Sequence, residues 1–185
     1  MTTAVPAPVT DCDLLAANPP DPDRIVAGVP RAAVDLPRAI AACRAAVAQY
    51  PDEGRLAYQL GRCLFYAGDT PAALDSFRRA AALGYRQAHF ILGLIALRRY
   101  PGVPFDPAAI EQHWRAAARA DHLNAQVSYA REWLKGAFAD LAQRAPADEV
   151  KNFLERARPR VDYLGGLLVD DLLAALAAAS ARRET

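Results

Sequence analysis

Residues 57–61 read AYQLG and residues 88–93 read AHFILG, so Leu-Gly closes an apolar stretch at 60–61 and again at 92–93. A second, alanine-rich stretch follows each phrase. A period in the thirties with two helices per unit is typical of an α-solenoid. Glycine inside a helix costs about 1 kcal/mol against alanine, so its repetition needs a physical reason. We expect Gly61 and Gly93 to let the neighbouring helix of each pair approach the backbone closely.

The composition of the chain favours helices throughout. Hydrophobic residues make up 53% of its 185 residues, but aromatic residues only 8%, and alanine supplies much of the difference. Alanine is the best helix former and a poor core filler, and the strict alternation of β-branched residues typical of strands is absent. The pattern predicts an all-α fold with helices at 11–17, 36–49, 54–67, 71–83, 86–99, 107–120, 123–144, 147–158 and 160–182.

Capping residues and glycines punctuate these helices. Asp35, Thr70 and Asp106 each stand at or next to the start of a helix with a proline in its first turn, where the missing amide costs nothing. Gly68 and Gly84 stand where helices should end in left-handed geometry. The chain is interpreted as one domain, with an N-terminal extension at 1–35, helical repeats at 36–145 and C-terminal capping helices at 146–185.

The charge balance argues against a nucleic-acid partner. Lys and Arg number 22 against 21 Asp and Glu, a net charge of +1, whereas nucleic-acid binders carry a basic excess. No apolar stretch is expected to be long enough to span a bilayer, since Asp170 and Asp171 interrupt LGGLLVDDLLAALAAA, so we expect no membrane insertion. The opening MTTAVPAPVT lacks the features of a signal peptide. The setting is periplasmic or secreted if a signal was removed, and cytoplasmic otherwise.

Two segments resemble known helical repeats. Residues 88–121 resemble a Sel1-like unit, and residues 55–84 resemble a tetratricopeptide repeat. The matching residues are Ala88, Leu92, Gly93, Gly102, Val103, Asp106, Ala109, Trp114, Ala117 and Ala118 in the first, and Leu60, Gly61, Gly68, Ala73 and Phe77 in the second. The resemblance implies a right-handed superhelix of antiparallel helix pairs. Asp121 and Ala130 depart from it, because both stand where these families have glycine.

The N-terminal part is similar to the leader of bacterial exported Sel1-like proteins, through DCDLLAANPPDPDRIV and the later AIAAC. That resemblance implies an extra-cytoplasmic setting and a cystine, for which Cys12 and Cys43 are the candidates. A bond between them would attach the proline-rich connection to the first repeat, whereas a reducing cytosol would leave both as thiols. Cys63 lies in an apolar helix and is interpreted as a buried structural thiol.

The concave face of the repeats is the predicted partner-binding surface. In such repeats the first helix of each pair lines this face, where Tyr and Arg are typical interface anchors. The candidate residues are Arg55, Tyr58, Arg62, Tyr66, Phe90, Arg98, Arg131 and Lys135. Their positive charge suits an acidic segment or a C-terminal carboxylate of another protein or peptide. The alternative is that apolar members of this face, such as Phe65, Leu94 and Leu97, pack on the next helix.

No pattern of residues indicates catalysis, a metal or a cofactor. There is no Cys-x-x-Cys, and the three histidines are not at ligand spacing on one helix face. The carboxylate pairs Asp11/Asp13 and Asp170/Asp171 are interpreted as solvated surface charge. We therefore expect a non-enzymatic scaffold that binds a protein or peptide. The alternative is an enzyme whose active site is assembled from residues that are distant in sequence.

The C-terminal segment VDYLGGLLVDDLLAALAAAS is interpreted as an amphipathic helix. Its apolar positions are 164, 167, 168, 172, 173 and 176. A solenoid needs a cap on its last unit, and capping is one role for this helix. The other is homodimerisation, which would make the protein a structural or assembly subunit.

Overall fold

The computed structural model describes residues 7–182, which form an all-α protein as predicted. This range contains nine α-helices and no strand. The helices are α1 (Asp11–Ala16), α2 (Leu36–Gln49), α3 (Gly54–Tyr66), α4 (Thr70–Ala82), α5 (Arg86–Leu97), α6 (Pro107–Arg119), α7 (Leu123–Leu134), α8 (Ala147–Ala157) and α9 (Tyr163–Ala181). Short 3-10 helices lie at Arg31–Ala33 and Arg158–Arg160. The ends of the predicted N-terminal extension and C-terminal segment, residues 1–6 and 183–185, lie outside the described residues.

The chain divides into two compact units, Met1–Leu92 and Gly93–Thr185, and the division falls inside α5. In the first unit α1 and α2 share a core with α3, and in the second α8 and α9 pack on α7.

Helix α3 is the centre of the first unit and packs against α1, α2 and α4. Its amino-acid pattern places Leu56 and Cys63 towards α1 and α2, where they join a cluster of buried small residues. On another side of α3, Gly61 lies against α4. A Cβ at Gly61 would lie 2.7 Å from the Phe77 ring, so the close approach expected of this glycine is confirmed.

The second unit has a more aromatic core. Tyr129 of α7 stacks on Phe138 with ring centroids 5.3 Å apart, and it meets Phe153 of α8 edge to face at 5.8 Å. At Gly93, a Cβ would lie 2.4 Å from the Trp114 ring, so the second glycine also allows a close helix approach.

The predicted caps are present, with one shift. Asp35 and Asp106 accept hydrogen bonds from the backbone amides that open α2 and α6. At α4, however, the capping side chain is Asp69, which accepts from Ala72 N, and Thr70 is the first helical residue. The prediction that Thr70 caps α4 was wrong, because the aspartate one position earlier performs that role.

The predicted single helix over 123–144 is also wrong. Helix α7 ends at Leu134, and Gly136 adopts a left-handed φ of +82°, which ends the helix. The chain then turns back so that Phe138 is buried against α7. Burial of this phenylalanine therefore overrides the helical pattern of residues 135–144.

Candidate functional site

Four of the predicted concave-face residues lie on α3, and three of them are not open to solvent. Arg55, Tyr58 and Arg62 follow helical spacing, so their side chains share one face. Their exposed fractions are only 4%, 1% and 4%. The chain's own residues 10–29, which we call the N-terminal segment, cover this face. The prediction of an open groove was therefore wrong at these three positions.

A buried carboxylate forms the first anchor of the N-terminal segment. Asp13 is fully buried and forms a salt bridge with Arg55. Gln59 Nε2 donates to Asp13 Oδ1 at 3.0 Å, while Asp13 Oδ2 accepts from the backbone amide of Thr10 at 2.9 Å. The expectation that Asp13 is solvated surface charge was therefore wrong, because its charge is compensated inside the protein.

Arg62 forms the second anchor by binding main-chain carbonyl groups. Its Nη1 donates to the carbonyl oxygens of Ala16 at 2.8 Å and Ala17 at 3.1 Å. Its Nη2 donates to the carbonyl oxygen of Val29 at 2.6 Å. Since Val29 N also donates to Ala17 O, one guanidinium holds two parts of the N-terminal segment that pair with each other. A planar guanidinium with five donors suits this arrangement, whereas a lysine ammonium does not.

Two tyrosines extend the contact beyond the charged anchors. Asn18 Nδ2 donates to the Tyr58 hydroxyl at 2.8 Å, and Tyr85 donates its hydroxyl proton to Asp21 Oδ2 at 2.6 Å. Burial raises the pKa of Asp21 above its ordinary value, while the Tyr85 hydrogen bond opposes that shift. Burial also raises the pKa of Tyr58, so its hydroxyl remains protonated at neutral pH.

A bidentate ion pair is the last of the contacts that hold the N-terminal segment. Arg86, at the start of α5, donates from Nε to Asp23 Oδ2 at 2.7 Å and from Nη2 to Asp23 Oδ1 at 2.6 Å. Three aspartates of the N-terminal segment are thus bound by side chains of α3, α5 and the turn between α4 and α5. Gln59, Tyr85 and Arg86 were not among the sequence-based candidates.

The structure joins Cys12 and Cys43 by a disulfide, with the two sulfur atoms 2.02 Å apart. Both residues are fully buried, so the bond attaches α1 to α2 inside the core of the first unit. Cys63 is a buried free cysteine. Burial raises the pKa of its thiol to about 11, which leaves it protonated and a poor nucleophile at neutral pH.

The other candidate residues have different surroundings. Tyr66 is half-buried, with the guanidinium of Arg31 4.7 Å from its ring centroid. Phe90 is half-buried and Arg98 is exposed.

In the second unit, both cationic candidates are exposed and pair with the same carboxylate. Arg131 Nε lies 3.3 Å from Glu132 Oε1, and Lys135 Nζ lies 2.9 Å from the same atom. The second unit therefore repeats none of the carbonyl-binding geometry of Arg62 at these two positions.

A cleft with a volume of about 610 Å³ lies beside α6 in the second unit. Its two arginines are engaged by Glu149, which accepts from Arg115 Nη2 and Arg119 Nε at 2.6 Å each. Burial opposes the charge of Glu149, but these hydrogen bonds outweigh it and lower its pKa to about 2. The lining residues are Ala108, Glu111, Gln112, Arg115, Ala116, Arg119, Asp140, Leu141, Ala142 and Gln143.

Helix α9 has apolar residues on two faces rather than one. Val169, Leu172 and Leu176 are buried, on a helix that packs on α7 and α8. Four large side chains face solvent instead, and we call them the α9 outer face. They are Tyr163, Leu164, Leu167 and Leu168, with exposed fractions of 79%, 73%, 46% and 41%.

Helix α9 also overturns one expectation from the sequence. With 19 residues and a mean hydropathy of 1.6, it is long and apolar enough to cross a bilayer by length and composition alone. The expectation that no apolar stretch has sufficient length was therefore wrong. Core helices pass the same test, and α9 packs on α7 and α8, so the absence of membrane insertion stays a prediction.

Within residues 7–182, no three His, Cys, Asp or Glu side chains lie close enough together to hold a metal ion. A search with known protein-family models finds no match to this chain, and a search of curated proteins finds none either. The resemblance to tetratricopeptide and Sel1-like repeats consequently rests on the sequence pattern alone.

Proposed function

We propose that this protein is a non-enzymatic scaffold built as a solenoid of tetratricopeptide-like and Sel1-like helix pairs. Two equivalent contacts support this proposal. In each, a glycine of the first helix lies under an aromatic ring of the second, as Gly61 does with Phe77 and Gly93 with Trp114. Both glycines occupy the last position of the repeated sequence phrase, so the repeat in sequence coincides with a repeat in packing.

We further propose that the scaffold assembles with a second copy of itself through the α9 outer face. The single observation that carries this function is the exposure of four large apolar side chains on one helix, whose opposite side is already buried. Four large apolar side chains grouped on one side of a helix mark an interaction surface. A lipid-surface helix also carries a basic polar face, whereas the exposed polar residues of α9 include the acidic Asp170 and Asp171.

A second copy is the occupant that this surface fits best. In a twofold interface the same patch meets itself, so the leucines of one copy would lie on the leucines of the other. The net charge of +1 adds little repulsion between copies. Asp171, which is exposed one turn beyond Leu167 and Leu168, would lie at the solvated rim of such an interface.

Light scattering coupled to gel filtration tests this function. We expect the 20.0 kDa chain to elute at twice its mass over a range of concentrations. The double variant Leu164→Asp, Leu168→Asp should elute as a folded monomer. Leu83→Asp is the matched control, because Leu83 is an exposed leucine of the first unit, 40% exposed. Leu172 and Leu176 are unsuitable positions, since both are buried and charge there would damage the fold.

A wild-type protein that is monomeric at every concentration would contradict the proposed homodimer. Binding of that monomer to phosphatidylcholine vesicles, lost in the double variant, would assign the α9 outer face to a lipid surface instead. A dimer that survives the double variant would place the interface elsewhere.

A further inference from the structure

We propose that the α3 face formed by Arg55, Tyr58, Gln59 and Arg62 is a binding site for an acidic polypeptide, and that the N-terminal segment is its ligand in cis. The inference does not depend on association through α9. The N-terminal segment then occupies the part of the predicted peptide-binding surface that lies on α3, and it keeps other ligands away from that part.

Most of the donors lie on the helix and most of the acceptors on the segment, as between a receptor and its ligand; an exception is Asn18, which donates to the Tyr58 hydroxyl. Arg55, Gln59 and Arg62 project from a regular helix that also packs against α2 and α4. The acceptors are carboxylate and main-chain carbonyl oxygens of a segment whose only helix is the six-residue α1. Because Ala16 and Ala17 end α1, Arg62 binds carbonyl groups that have no partner within that helix.

The spacing of the bound groups defines the ligand. Carboxylates at positions 13, 21 and 23 meet Arg55, Tyr85 and Arg86 in turn. Between the first two carboxylates, Arg62 binds the carbonyl groups of Ala16 and Ala17. A ligand therefore needs a carboxylate on a short helix like α1, a non-helical stretch as long as that between Ala17 and Asp21, and an Asp-x-Asp pair that begins at the end of this stretch.

Two covalent connections keep the N-terminal segment in place. One is the main chain, which enters α2 through the exposed 3-10 helix Arg31–Ala33. The other is the Cys12–Cys43 disulfide. Both must be removed before the segment can exchange with another polypeptide, so the disulfide acts as the lock of the cis complex.

Hydrogen exchange on the uncleaved variant Cys12→Ala, Cys43→Ala is the first test. The amides of Leu14, Ala17, Asp21 and Val29 donate backbone hydrogen bonds in the N-terminal segment and report its release. We expect them to exchange at least about tenfold faster than the amides of α3 and α4, as for a locally opening unit. Equal exchange rates in the segment and α3 would overturn the inference, because the segment would then open only when the whole unit unfolds.

Exchange of the segment itself is the second test. A specific protease site inserted between Pro30 and Asp35 allows the chain to be cut behind the segment. In the cut Cys12→Ala, Cys43→Ala protein, a fluorescent peptide of residues 8–30 with Cys12→Ala should replace the cleaved segment while the helical circular dichroism is retained. In the cut wild type, the disulfide should prevent replacement. Loss of the helical signal on release of the segment would overturn the inference.

Substitutions in the peptide, rather than in the protein, test the ligand chemistry. Asp13→Asn in the labelled peptide should weaken binding about tenfold or more, because a buried ion pair with Arg55 is lost. Asp11→Asn is the matched control, since Asp11 is an exposed carboxylate of the same short helix and should leave binding unchanged. Equal affinities of the two peptides would overturn the assignment of the face as an acidic-peptide site.

Discussion

Replacing Gly93 by alanine tests the packing that joins the two helices of the second predicted repeat. Outside a tertiary contact, alanine in place of a helical glycine stabilises a helix by about 1 kcal/mol. At this position, the new Cβ would lie 2.4 Å from Trp114 Cδ1 and 2.5 Å from Nε1. Ordinary carbon contacts are about 3.5–4.0 Å, so the ring would have to move by roughly 1 Å.

The indole ring has little room for that movement. Trp114 is 1% exposed and packed in the core of its unit. Overpacking a core usually costs about 1–3 kcal/mol, occasionally more, and the high end applies because the atoms nearest to the new Cβ belong to a rigid ring. Subtracting the helix-propensity gain leaves an expected loss of about 1–2 kcal/mol in the free energy of unfolding for Gly93→Ala. The equivalent Gly61→Ala should lose less, because its nearest ring atom is 2.7 Å away.

Urea denaturation followed by tryptophan fluorescence measures the effect in the relevant unit, because both tryptophans, Trp114 and Trp133, belong to the second unit. Trp114→Leu provides the control background, since it removes the ring atoms that a Cβ would meet. In that background Gly93→Ala should be neutral or stabilising, with Trp133 as the remaining probe. If Gly93→Ala is as stable as wild type while Trp114 is retained, a clash between the new Cβ and the Trp114 ring is refuted.

Three further changes have definite expectations. Cys12→Ala with Cys43→Ala should lower the free energy of unfolding by about 3–4 kcal/mol, because the bond closes a loop with a sequence separation of 31 residues. Glu149→Gln should cost about 1–2 kcal/mol at neutral pH; the folded-state pKa is lowered from 4.5 to about 2, so the stabilisation is present above pH 4.5 and lost as the pH falls towards 2. Leu176→Ala should cost about 2–4 kcal/mol and Leu168→Ala under about 1 kcal/mol, because only the former is buried. Urea denaturation followed by circular dichroism measures all three.

Each expectation has an outcome that contradicts it. A double-alanine protein with wild-type stability in non-reducing buffer would show that the disulfide does not stabilise the protein by restricting the unfolded chain. A Glu149→Gln deficit that persists unchanged at pH 2 would show that the charge of this carboxylate is not responsible. Equal losses for the two leucine variants, in protein kept monomeric, would contradict the assignment of inner and outer faces on α9.

Helical periodicity and capping predict most of the fold because both depend on neighbouring residues. The two Leu-Gly phrases even locate the contacts of Gly61 and Gly93, since a costly glycine inside a helix signals a close neighbour. The end of α7 is less predictable, because burial of Phe138 decides it and that residue lies beyond the helix. Tertiary packing outweighs local propensity there.

The covering of α3 could not be predicted from residue types. The spacing of Arg55, Tyr58 and Arg62 shows that they share a face, but it does not show what lies on that face. Arg62 binds carbonyl oxygens of the main chain, which every residue carries. No residue type in the N-terminal segment therefore indicates this contact. The carboxylate of Asp13 is the one signal, and a single aspartate near a helix start is also an ordinary capping residue.

Asp121 stands where the repeat families that the chain resembles have glycine, and its side chain compensates for the loss of that glycine. Its φ of +64° is the left-handed geometry that a glycine would adopt more easily. The aspartate carboxylate instead accepts from Arg156 Nη2 at 2.6 Å and pairs with Arg160 Nη1 at 2.9 Å. The side chain thereby ties the turn after α6 to the end of α8, which glycine could not do.

The position of the N-terminal segment has a consequence for the order in which the protein can be assembled during synthesis. Its anchoring side chains, from Arg55 to Arg86, come much later in the chain, so the segment leaves the ribosome before its binding face exists. Cys12 and Cys43 emerge before Cys63, and in the folded protein all three belong to one buried cluster. If Cys63 emerges while the first two thiols are still free and α1 has not docked on α3, it can compete for either partner. Correct pairing then depends on helix packing being faster than thiol oxidation, and a chain that oxidises before α3 has folded would be trapped with the wrong cystine.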